Sequence, residues 1–146
     1  RRLWQELRSF FDEKTPYLSV VPIDGAWENC LACIEGPPNT AYERGIFWIH
    51  ICYPAKYPHV PPKMKFITPI FHPNFATDGT IDLDFLDEMW SPINTTKSCL
   101  VSILSVFGSP LVSDRLRDER NEAQKMWAED YESYFEIARM YTEDFA

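Results

Sequence analysis

Side chains able to do covalent or metal chemistry are few in this chain: four cysteines (Cys30, Cys33, Cys52, Cys99) and three histidines (His50, His59, His72). Cys30-Leu31-Ala32-Cys33 is a lone C-x-x-C. A zinc site needs a second ligand pair at matching spacing, and the scattered histidines do not supply one. A redox pair belongs at a helix start after a strand, whereas this pair lies inside a run that reads as strand. The cysteines therefore read as structural thiols of a reducing compartment, cytoplasmic or nuclear, and no metal or cofactor is expected. The other stretch that could do chemistry is His72-Pro73-Asn74-Phe75-Ala76-Thr77-Asp78-Gly79-Thr80-Ile81-Asp82-Leu83-Asp84, followed by Trp90-Ser91-Pro92. It offers an imidazole, an amide and several carboxylates, but no thiol.

The bulk of the chain limits what such a stretch can serve. Its 146 residues suit one domain, 1–146, and 45% hydrophobic and 15% aromatic content is ample for a packed core. A net charge of −8 argues against nucleic acid as a partner. The local acidic density at Asp82-Asp84-Asp87-Glu88 and across 114–122 reads as solvated surface. No apolar run reaches the ~18 residues that a membrane span requires, so no membrane partner is expected, and no signal-peptide pattern is visible. Asn94-Thr95-Thr96 matches a glycosylation sequon but reads better as the entry to a helix.

Several elements must position that stretch. Leu3, Trp4, Leu7, Phe10 and Phe11 recur at helical spacing, so 1–13 reads as an amphipathic helix ended by Thr15-Pro16. Three strands follow, over 18–23, 27–34 and 45–53, the last rich in β-branched and aromatic residues. Glu35-Gly36-Pro37-Pro38-Asn39-Thr40 is turn chemistry, which suits an antiparallel meander. The prolines of 53–63 exclude helix and central strand, and Tyr57-Pro58 is the candidate for a cis bond. Residues 63–68 fit a fourth strand. From there to Pro92 no regular pattern appears, which suggests an ordered functional loop. Thr95 or Thr96 caps an apolar helix running to Phe107, and 118–145 reads as two helical pieces with Tyr134, Ile137, Ala138 and Tyr141 facing inward.

In order and spacing these segments resemble the ubiquitin-conjugating enzymes. Ile34-Glu35-Gly36-Pro37 with Thr40-Ala41-Tyr42-Glu43-Arg44-Gly45-Ile46-Phe47 is similar to the family's "I-x-GP…T-x-Y-x-GG-x-F". Tyr53-Pro54, Tyr57-Pro58 and Pro61-Pro62-Lys63 are similar to its "FP…YP…PPK", and Phe71-His72-Pro73-Asn74 with Trp90-Ser91-Pro92 completes the set. The resemblance implies an α+β fold: a four-stranded antiparallel meander flanked by an N-terminal helix, a central helix and C-terminal helices. It also implies a cysteine that carries ubiquitin as a thioester, and that position falls on Asp82.

A carboxylate is a poor acyl carrier. Acylating Asp82 would give a mixed anhydride, higher in energy than a thioester and prone to hydrolysis. Its charge would also oppose the negative charge of a tetrahedral intermediate. Cys99 is nearest in sequence but lies on the core-facing rhythm of a helix, where thiols are inert. By resemblance Asn74 matches an asparagine that stabilises the oxyanion or orders the loop, and with Asp82 present the loop-ordering role fits better. His72 reads as a scaffold residue bonded to backbone, not a base, and Asp84 as solvated surface. The segment 111–120, where the family often carries an acidic gate, aligns too loosely to assign a residue.

The resemblance implies two partner surfaces. RING-type ligases would meet the first helix, the proline loop and the loop after W-S-P, here His59, Ser91, Pro92 and Ile93. His59 stands where the family usually has a hydrophobic knob, which weakens that contact. Ser19 falls on the opposite face, where the family binds a second ubiquitin. The first helix lacks a dense basic patch, so docking to an activating enzyme is expected to be weak. The reading that follows is a pseudoenzyme that binds ubiquitin or a ubiquitin-like protein, a conjugating enzyme or a ligase. Two alternatives stand beside it: an active conjugating enzyme whose cysteine was replaced by mutation or design, and an interaction domain within a larger complex.

Overall fold

Alternation builds the sheet. The computed structural model describes residues 2–12, 15–111 and 122–146. Strands β1 (Leu18–Ile23), β2 (Ala26–Glu35), β3 (Ile46–Cys52) and β4 (Lys63–Phe66) pair antiparallel in the order β1-β2-β3-β4. One transverse row, Val20, Ala32, Ile49 and Phe66, crosses all four strands in register, and every member is buried. The neighbouring row, Ser19, Cys33 and Trp48, faces the other way. Period-two alternation thus separates a core face from an outer face. The same parity places Cys30 inward and Cys33 outward, so the C-x-x-C pair cannot act together.

The β1–β2 turn is Asp24-Gly25, both residues with positive φ (50° and 72°). That is the two-residue geometry that matches strand twist, and Asp-Gly is a favoured sequence for it. Between β2 and β3 the backbone folds back tightly. A Cβ on Gly36 would stand 1.6 Å from the Tyr42 carbonyl oxygen, so only glycine fits there. The Tyr57–Pro58 bond is cis.

Helices cover the core face. Helix α1 (Arg2–Asp12) buries Leu7. Helix α2 (Thr96–Val106) begins at Thr95, whose hydroxyl accepts from the Ser98 N–H while the Ser98 hydroxyl accepts in return from the Thr95 N–H. This reciprocal cap stabilises the helix start by ~1 kcal/mol. Thr96, Cys99, Leu100, Ile103 and Val106 are its buried residues. Phe107 follows at the centre of an aromatic cluster, with ring centroids 5.2 Å from Tyr42, 5.4 Å from Phe47 and 5.9 Å from Phe75. Helices α3 (Glu122–Glu129) and α4 (Tyr131–Phe145) close the chain, with Asp130 capping α4 through the Ser133 N–H. Tyr134 and Ala138 enter the core, and the Tyr134 and Tyr42 hydroxyls lie 2.6 Å apart.

The α+β architecture expected from the sequence is the one observed. The long loop after β4 carries more order than its sequence pattern suggests. It holds a 3-10 turn over Asp84–Leu86 and three isolated bridges, Lys65 with Thr80, His72 with Phe75, and Phe75 with Ile81. The expected helical start at 118, and all of the 111–120 segment but Leu111, lie outside the described residues. Among the described residues, no helix is long and apolar enough to cross a membrane.

Candidate functional site

Asp82 lies between two buried side chains, Ile81 and Leu83, in an extended strip held by backbone. Its N–H donates to the Asn74 carbonyl oxygen at 2.8 Å. Asp82 as a whole is half-buried. Just before it, Ala76 and Thr80 close a small hairpin: the Ala76 N–H donates to the Thr80 oxygen at 2.8 Å, and the Gly79 N–H donates to the Ala76 oxygen at 2.9 Å. Gly79 has φ 94°, and a Cβ there would stand 2.2 Å from the Phe66 carbonyl oxygen, so this turn is committed to glycine. Asp78 accepts the Thr80 N–H, a bond that lowers its carboxyl pKa.

His72 and Asn74 anchor the strip from below, both fully buried. The His72 Nε2–H donates to the Val106 carbonyl oxygen at 2.6 Å, and its Nδ1 accepts the Asn74 N–H at 3.0 Å. The ring stacks on Phe75 with centroids 4.3 Å apart. Burial pushes its pKa down to about 3, so the imidazole is neutral across the physiological range. The Asn74 side chain is engaged in a reciprocal pair: Nδ2 donates to the Leu111 oxygen at 2.8 Å, and Oδ1 accepts the Leu111 N–H at 3.0 Å. Gln124 of α3 donates to the Pro73 carbonyl oxygen at 2.9 Å. The end of α2, the segment after it and α3 are all tied to the loop through these residues.

A second assembly holds the loop's far end. The Trp90 indole N–H donates to the Pro58 carbonyl oxygen at 2.9 Å, joining the Ser91-Pro92 turn to the proline loop. The Arg2 guanidinium donates to the Pro92 and Asn94 carbonyl oxygens. Glu6, almost wholly buried, accepts from Arg2 at 3.2 Å, from the Tyr57 hydroxyl at 2.6 Å and from the Thr96 N–H at 2.8 Å. One carboxylate thus ties α1, the proline loop and the start of α2 together. On this support Ile93 is 84% exposed and Met89 65%. His59 and Pro92 are exposed, and Ser91 is half-buried with its hydroxyl accepting the Ile93 N–H at 3.4 Å. Ser19 is exposed on the outer face of β1.

The structure therefore gathers Asp82, Asn74 and His72 into one knot, and Ser91, Pro92 and Ile93 with the proline loop of His59 into another. The 3-10 turn runs between them. The sequence reading missed Glu6, Arg2, Trp90 and Leu111 as organising residues. The Arg2–Glu6 spacing of four was the available signal for the first two.

None of the four cysteines is presented as a substitute nucleophile. Cys30 and Cys99 are buried, and burial pushes their thiols up to about 11 and about 12. Burial also raises Cys33, on the outer face of β2. Cys52 shares that outer face on β3.

This geometry has known counterparts. A model of the family described as "Ubiquitin-conjugating enzyme" matches residues 2–142. The E2 domain of a Toxoplasma gondii ubiquitin conjugating enzyme is similar at 36% identity and a TM-score of 0.88, over 99% of this chain and 97% of that one. Sequence motifs, sheet order and overall shape agree, and this chain belongs to the ubiquitin-conjugating enzyme family.

Proposed function

We propose that this chain is a non-catalytic member of its family that regulates or scaffolds ubiquitin or ubiquitin-like conjugation. It would do so by binding the modifier, an active conjugating enzyme or a RING-type ligase. Family membership supports a role connected with ubiquitin conjugation. The observation that carries the finer reading is Asp82, held by an intact loop at the position where the family's motif places its cysteine. A carboxylate there forms no durable acyl bond and repels the charge that acyl transfer develops. His72 and Asn74 support the reading: their polar side-chain atoms are bonded to backbone, which suits a frame more than a proton relay or an oxyanion donor. The exposed Ile93 and Met89, on a support braced by Glu6, suit a surface that meets a protein.

Two measurements test this. Incubated with activating enzyme, ATP and ubiquitin, the unmodified chain should form no thiol-sensitive adduct; such an adduct overturns the non-catalytic reading. NMR titration with purified ubiquitin, a conjugating enzyme and a RING domain should show saturable binding by at least one. No binding by any of the three overturns the regulatory reading in favour of a structural interaction domain.

A further inference from the structure

Away from the loop, α3 and α4 carry an aromatic row that is anchored at its base, where Trp127 packs against the core and the Trp127 and Tyr131 rings lie 5.2 Å and 5.9 Å from buried Tyr134, and open at its outer end. Trp127, Tyr131 and Phe135 follow one another at intervals of four. Ring centroids are 5.2 Å apart for Trp127 and Tyr131 and 6.3 Å for Tyr131 and Phe135. Tyr131 is 53% exposed and Phe135 37%, while the core is served by Tyr134 and Ala138 on the inward side. Beside this row on α4 stand Glu132 and Glu136, again four apart and both exposed. Like charges at that spacing weaken a helix. Among the described residues neither makes an ion pair. The open parts of Tyr131 and Phe135 thus lie beside an acidic pair, and one kind of ligand suits both.

We propose that this face docks an arginine-rich segment of a partner polypeptide. Ring faces are negative and attract cations, and a guanidinium also stacks flat on them, which a lysine ammonium cannot do. Glu132 and Glu136 lie where the remaining guanidinium N–H groups can be received as charge-assisted bonds. The same acidity, within a chain of net charge −8, repels nucleic acid and anionic lipid, which leaves a basic polypeptide as the fitting partner. This inference does not depend on the reading of Asp82.

The test is an NMR titration of the full chain with a short synthetic oligoarginine peptide, against oligolysine of equal length. Shifts should concentrate on the Trp127 indole and the backbone of 131–136, with oligoarginine binding more tightly. The double variant Y131A/F135A should lose roughly tenfold in affinity, its fold verified by circular dichroism. E132Q/E136Q leaves ring packing untouched and serves if that variant misfolds; it should weaken binding several-fold and flatten the salt dependence. The proposal is overturned if shifts map instead to 82–88, if neither variant changes affinity, if lysine binds as well as arginine, or if an oligonucleotide or anionic vesicle competes for the face.

Discussion

The two ends of the long loop use buried polar groups differently. At the Asp82 end, the His72 ring bonds the backbone of Val106 and Asn74, and the Asn74 amide bonds the backbone of Leu111. At the Trp90 end, the almost wholly buried Glu6 and the half-buried Arg2 brace the backbone on either side of the exposed Ile93. The first assembly holds a backbone shape around a residue unsuited to acyl transfer. The second holds out a surface suited to contact. Packing and backbone bonds thus hold the loop around Asp82 in shape.

Mutations can break that comparison. Glu6→Ala should have the largest effect, since it leaves the Tyr57 hydroxyl, the Thr96 N–H and a guanidinium short of their acceptor. We expect a loss of about 3–4 kcal/mol by chemical denaturation, together with weakened partner binding. Asn74→Ala should cost about 1–2 kcal/mol by the same measurement, by removing two bonds from a buried amide to Leu111, and should leave the Trp90 end and its binding intact. If Asn74→Ala abolishes partner binding as well, the two assemblies are one unit and the comparison fails.

A pH series sharpens the first assembly. Unfolded, the His72 imidazole takes a proton near pH 6.5; folded, it does so only near 3. Its contribution is therefore complete above pH 6.5 and is lost as pH falls from 6.5 toward 3, amounting to a few kcal/mol. His72→Gln should flatten that part of the stability profile. The smallest effect on folding should come from Ile93→Ala: stability within about 0.5 kcal/mol of the parent, but partner affinity lowered roughly tenfold. Equal binding by this variant would remove Ile93 from the contact surface.

Local chemistry explains which of these features the sequence displayed. The strands of the meander were readable because alternation and turn residues act over a few positions. Residues 84–86 were not, because a single turn has no periodicity to detect. Glu6 reads in sequence as one charge among several on a helix; its role depends on Tyr57 and Thr96, 51 and 90 residues away. The Asn74 partner lies 37 residues on. On α4 the core-facing Tyr134 and Ala138 drew attention from Tyr131 and Phe135, which repeat at a spacing just as helical on another side. The motif pattern placed Asp82, His72 and Asn74 in one segment and gave His72 and Asn74 a supporting role; only the fold supplies their backbone partners, Val106 and Leu111.

We propose that the loop around Asp82 keeps the shape for acyl transfer and lacks only the acyl-carrying atom. The direct measurement is charging of the unmodified chain and of Asp82→Cys, side by side, with activating enzyme, ATP and ubiquitin, read by intact-protein mass spectrometry with and without thiol. The unmodified chain should carry no adduct, and Asp82→Cys should carry a thiol-labile ubiquitin adduct. A thiol-labile adduct on the unmodified chain, or none on a folded Asp82→Cys, would contradict the proposal.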